Sequence, residues 1–166
     1  MLLYRALCAL FVAWAMNWSF SRPEAELLRN EIPEFAAIAP FAGALVGFVN
    51  LARRQGWGGI VAVANGMWAG FLSIVITSVI FVFTRAADST ARVGDTDTDF
   101  VFKIISESVA EVVDNLASFP LLVLCIGASA VVGLVTEVIH WALVKLRKRK
   151  GLKERNDRRA HRPSMY

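Results

Sequence analysis

Four apolar runs, divided by polar connections, organise the chain. The first covers about Leu2 to Phe20 (LLYRALCALFVAWAMNWSF) and the second about Phe35 to Ala52, short and carrying Pro40. The third, about Gly58 to Thr84, is the cleanest; the fourth, about Phe119 to Val144, is as long and contains Glu137 and His140. Such runs predict bilayer-crossing helices, because a hydrocarbon core of roughly 30 Å takes about 20 residues at about 1.5 Å each. None alternates in polarity as a barrel strand does. Between the third and fourth runs the pattern changes. Residues 88–99 are polar and acidic, with a turn-like Gly94-Asp95. Residues 100–117 then set Val101, Ile104, Ile105, Val109, Val112, Val113 and Leu116 at helical spacing against Lys103, Glu107, Glu111 and Asp114, which predicts an amphipathic helix. Ser118 ahead of Phe119-Pro120 suits the start of a helix, where the missing proline donor matters least. The expected fold is all-α: a polytopic membrane protein with four transmembrane helices (about 2–20, 35–52, 58–84 and 119–144) and one amphipathic outer-surface helix between the third and fourth. Residues 1–144 form the transmembrane domain and residues 145–166 a basic cytoplasmic tail.

Composition supports lipid as the solvent. Of 166 residues, 56% are hydrophobic and 19% charged, and the mean hydropathy is +0.51. Soluble domains run nearer 25% charged and about 45–50% apolar. A chain this small leaves much of its surface exposed, so an ordinary soluble globule is excluded, as is a disordered chain. Charge sets the expected orientation. With the N-terminus inside, inner segments hold Arg5, Arg53, Arg54 and the ten basic residues of the tail, while outer segments hold Arg22, Arg29, Arg85, Arg92 and Lys103. Eleven of the 14 acids fall outside. Both termini are therefore expected to be cytoplasmic. The first run also has the basic start and apolar centre of a signal peptide, but Asn17-Trp18-Ser19-Phe20 is no small-x-small cleavage site, and Trp14 and Trp18 suit an interfacial aromatic belt.

Polar residues inside the apolar runs are the informative exceptions. Glu137 lies about two turns, roughly 12 Å, from the basic end of its helix. A carboxylate there costs a few kcal/mol unless it pairs, protonates or meets water. His140, Asn65, Asn50, Arg5, Arg53 and Arg54 lie at similar depth, so a polar cluster follows, with Glu137 paired to an arginine as a structural clamp or, with His140, handling protons or ions. Small residues recur every four positions: Ala39, Gly43 and Gly47, then Ala62, Gly66 and Gly70. Such stripes let helix backbones approach closely in lipid. Since a short turn joins the two helices, a hairpin packed through the stripes is expected, within one chain or in a homo-oligomer.

Other chemistry is excluded or weak. Glu137-x-x-His140 has di-iron spacing, but such sites need a second motif and two further glutamates, and no other acid lies in a run. Cys8 and Cys125 fall at opposite depths, and no Cys-x-x-Cys, phosphate loop, zinc motif or nucleophile elbow occurs. Glu107, Glu111 and Asp114 form either a solvated face or a cation-binding one. No metal, cofactor or catalytic residue is expected. The tail lacks a folded module or stacking platforms for nucleic acid; Lys145, Arg147, Lys148, Arg149 and Lys150 are instead expected against anionic lipid headgroups.

The layout also carries a resemblance. Gly43-Ala44-Leu45-Val46-Gly47-Phe48 leads into the basic turn Arg53-Arg54-Gln55-Gly56-Trp57-Gly58-Gly59; the third run opens through Ala64-Asn65-Gly66-Met67; FKIISESVAEVV precedes a last helix with Gly133-Leu134-Val135-Thr136-Glu137. This is similar to the TrgA-type small membrane proteins of alphaproteobacteria, over about residues 1–148. It departs from them at Phe48-Val49, where members carry Trp-Arg, and at GDTDTD, where members carry an arginine-rich stretch. The resemblance implies an integral membrane protein associated with tellurite resistance, and Asn65, Gly66 and Glu137 match its pattern. The expected function is that of a non-enzymatic scaffold or accessory protein in metalloid or envelope-stress resistance, alone or in a larger membrane complex. The alternative is a small transporter or channel working through Glu137 and His140.

Overall fold

A computed structural model of the chain describes residues 2–26, 30, 32–53, 56, 58–93, 98–116 and 119–160. These form five α-helices and, among the described residues, no strand: α1 (Leu2–Phe20), α2 (Pro33–Val49), α3 (Gly59–Val93), α4 (Thr98–Leu116) and α5 (Phe119–Ala160). Single 3-10 turns occupy Pro23–Ala25 and Leu51–Arg53. Three stretches, Leu2–Phe20, Gly59–Arg92 and Leu121–Leu146, are long and apolar enough to cross a membrane. α2 is apolar but shorter, at 17 residues.

Helices α1, α2, α3 and α5 close a ring. α1 lies along α2, α3 lies along α5, and the α2–α3 and α1–α5 contacts complete it, while α4 packs mainly on α3. At one end an aromatic chain fills the middle, with Phe20 5.9 Å from Phe35 and Phe35 5.8 Å from Phe81 between ring centres. Cys8, Val12, Met16, Leu121 and Cys125 extend this core, all of them essentially inaccessible. The outward faces are apolar too: Leu3, Trp14, Phe41, Ile60, Phe83 and Val138 are all more than half exposed. Apolar surface of that extent is a liability in water and ordinary in lipid.

The glycine stripes are buried, but they do not face each other. A Cβ on Gly47 would sit 2.5 Å from the Cys8 carbonyl oxygen and 2.9 Å from Ala9 Cα; one on Gly43 would sit 2.9 Å from Met16 Cγ. The α2 stripe therefore meets α1. On α3, a Cβ on Gly66 would lie 3.0 Å from Gly133 Cα, and one on Gly70 2.6 Å from Ser129 Oγ, so that stripe meets α5. The close helix contacts expected at Gly43, Gly47, Gly66 and Gly70 are thus present within the chain, but the α2–α3 hairpin is not packed stripe to stripe. A small-residue stripe needs a smooth backbone opposite; α1 supplies one at Cys8 and Ala9, and α5 at Ser129, Ala130 and Gly133. α2 and α3 do touch, through larger side chains such as Phe35 and Phe81.

Two helices outrun their apolar stretches. α3 continues past Thr84 to Val93. Its extension is rich in good helix formers (Arg85, Ala86, Ala87, Ala91), and Asp88 pairs with Arg92 one turn on at 2.8 Å. Arg85 also reaches Glu111 of α4. The Gly94-Asp95 turn lies outside the described residues. α5 runs unbroken from Val144 into the basic tail as far as Ala160. At 42 residues it is about 63 Å long, twice a bilayer's hydrocarbon thickness.

Candidate functional site: a carboxylate latch on the α2–α3 turn

Glu137 sits on the face of α5 turned toward the α2–α3 connection and is only 5% exposed. Its carboxylate accepts three hydrogen bonds. The Gly56 N–H donates to Oε2 at 2.8 Å, the Gly58 N–H to Oε1 at 3.2 Å, and the Trp141 indole N–H to Oε1 at 2.7 Å. Trp141 is in reach because residues four apart share a helix face. The two backbone donors are in reach because of glycine. Gly56 has φ +97° and Gly58 φ +104°, a left-handed region that costs other L-residues roughly 1–2 kcal/mol. The result resembles a helix N-cap built across sequence: a carboxylate satisfies backbone donors just ahead of α3, where orphan N–H groups need acceptors.

Neighbouring groups tie the same end together. His140 Nε2 faces Gly56 so closely that a Cβ there would lie 3.2 Å away. The Tyr4 ring meets His140 edge-on at 5.7 Å, and its hydroxyl donates to the Thr136 carbonyl at 3.0 Å. α1, the α2–α3 turn and α5 are thereby joined around one buried acid. Beside it, Val138, His140, Trp141, Lys145, Lys148 and Gly56 line an open crevice of about 720 Å³.

Of the three arginines expected to clamp Glu137, only Arg5 has a described side chain, and it is not the partner. Among the described residues Glu137 has no ion pair, and Arg5 lies instead over the Phe48 ring at 6.0 Å from its centre. A carboxylate already holding three N–H donors, two of them fixed by backbone, has most of its acceptor sites filled without Arg5. Arg54 lies outside the described residues, as do the side chains of Arg53, Arg147, Arg149 and Lys150. Asn50 ends α2, its N–H bonded to the Val46 carbonyl at 2.8 Å, and Asn65 is half-buried on α3. Of the expected cluster, the structure brings Glu137 and His140 together. It adds Gly56, Gly58, Trp141 and Tyr4, which sequence reasoning did not assign to the cluster. Two signals pointed to them: the density of glycine in the turn, and the four-residue step from Glu137 to Trp141.

Elsewhere the hydroxyls of α3 are locally satisfied, whereas Ser129 Oγ on α5 is buried with no hydrogen-bond partner among the described residues. Ser73, Thr77 and Ser78 each donate to the carbonyl four residues back, as small hydroxyls in helices do. On α4, Glu111 pairs with Arg85, while Glu107 and Asp114 are exposed. Cys8 and Cys125 are free and buried. Among the described residues no three His, Cys, Asp or Glu side chains converge as a metal site would require. Among the described residues the chain is thus all-helical, with three membrane-length apolar helices and a latched acid at Glu137. No family model matches it, and no curated protein or solved structure matches it at a significant level.

Proposed function

We propose that the chain is a non-enzymatic integral protein of a bacterial inner membrane, working as a scaffold or accessory component. In this reading α2 is the fourth span, α4 lies at the outer surface, and both termini are cytoplasmic. The carrying observation is the engagement of Glu137: both oxygens of its carboxylate are held by the turn and by Trp141. A group so held stabilises a fold; a carrier's group must exchange partners. The hydroxyls of α3, bonded back onto their own helix, offer no chain of exchanging partners either. The similarity of the turn and stripe motifs to TrgA-type proteins makes tellurite or metalloid resistance the phenotype to examine, with an indirect contribution expected. The decisive test places the purified chain in liposomes and follows tellurite, proton and divalent-cation flux. The expected result is no flux above protein-free liposomes. Flux that Glu137→Ala abolishes in a still-folded protein would overturn the scaffold in favour of a transporter.

A further inference from the structure

The crevice beside the latch has a composition of its own. Lys145 and Lys148 are three residues apart, share a helix face and are both exposed at its rim. Among the described residues neither is ion-paired. The nearest acid along that face, Glu137, is committed to Gly56, Gly58 and Trp141, so it does not answer their charge. Below the lysines the wall turns apolar, through Val144, Ala142, Trp141 and Val138 in order along the helix. Cations at one end and a largely apolar wall with an amphipathic ring set into it match the two parts of a phospholipid, headgroup phosphate and glycerol with acyl chain. The volume, about 720 Å³, exceeds what a bare ion needs.

We propose that this crevice is a discrete site for one phosphate ester, with Lys145 and Lys148 on the phosphate and Trp141 and Val138 against the glycerol end. An anionic phospholipid of the surrounding leaflet is the source that the apolar floor fits; a soluble glycerol phosphate shares the charged part of that chemistry. The site deepens the membrane reading and rests on it, yet concerns one pocket and not the whole basic tail.

Native mass spectrometry of the full chain, released from detergent after incubation with phosphatidylglycerol, phosphatidylcholine of the same acyl chains, or glycerol phosphate, tests it. The expected result is one phosphatidylglycerol retained per chain in preference to phosphatidylcholine. The preference should fall roughly tenfold or more in Lys145→Gln/Lys148→Gln, given the attraction of two basic residues at a lipid surface. Both side chains are exposed, so the double variant leaves the packed ring untouched. Arg158→Gln/Arg159→Gln removes the same charge about 15 Å or more along the helix, beyond a screening length of about 8–10 Å, and should retain the preference. Glycerol phosphate bound with the same lysine dependence would support the site with a soluble source. Equal retention of both lipids, survival of the preference without the two lysines, or equal loss in the distal variant would overturn it. Failure of the membrane reading would look different: neither lipid is retained, and topology reporters give no consistent sidedness.

Discussion

A carboxylate taken out of water costs several kcal/mol unless donors meet its lone pairs, and Glu137 meets three, none of them a cation. Replacing it with Gln keeps the shape but turns one acceptor oxygen into a donor, leaving Gly56 or Gly58 facing an N–H. Glu137→Gln should therefore destabilise by about 1–3 kcal/mol, the range for losing hydrogen bonds to a charged group. Arg5→Gln removes a cation–π contact at long range and should cost about 1 kcal/mol or less. Thermal unfolding in detergent measures both, and their effects should add to within about 0.5 kcal/mol in the double variant. Strong coupling would show Arg5 acting as a clamp on Glu137. The site was half legible in sequence for a definite reason. An acid in an apolar run announces its cost, and basic residues at the same depth are easy to count. The direction of a backbone N–H depends on the sign of φ at Gly56 and Gly58, which the packed α5 helps to decide.

At the scale of elements, the close approaches are graded. A Cβ on Gly47 would meet α1 backbone at 2.5 Å, whereas one on Gly43 would first meet the Met16 side chain at Cγ and α1 backbone only at 3.2 Å. Overpacking costs about 1–3 kcal/mol where atoms cannot yield, so Gly47→Ala and Gly66→Ala should destabilise more than Gly43→Ala. Gly127 has nothing within 4 Å, so Gly127→Ala should stabilise α5 by up to about 1 kcal/mol through helix propensity. The order Gly127, Gly43, then Gly47 and Gly66, read as midpoints of thermal unfolding, checks the assignment; a flat series would refute it. The period of four was visible along the chain, but not its target, because a stripe specifies a smooth partner and three other helices could supply one. Gly133, opposite Gly66, falls in a run of small residues that no spacing rule separates from its neighbours. The extension of α3 was obscured for a related reason: loss of hydropathy after Thr84 marks the end of an apolar surface, while helix continues wherever alanine, arginine and an i,i+4 pair sustain it.

Across the whole molecule, the basic residues gather at one end of the proposed spans and the acids at the other. Under the proposed orientation an activity reporter fused after Lys150 should score as cytoplasmic and one inserted within residues 90–98 as periplasmic; the opposite pattern would reverse it. The all-helical class was legible because long apolar runs admit little else, and three of the four expected runs are helices of membrane length. The ring order was not legible, because hydropathy says which segments avoid water and nothing about which of them touch.

The latch also has a temporal meaning. Gly56 and its acceptor are 81 residues apart, and Gly58 and its acceptor 79. A ribosome finishes the α2–α3 turn long before it makes α5, so for that interval the turn displays backbone donors that only the last helix can occupy. Arrival of α5 is thus registered at the far end of the chain as well as along its own contacts. A product truncated before Glu137 leaves the Gly56 and Gly58 donors without the acceptor that α5 brings to the completed ring.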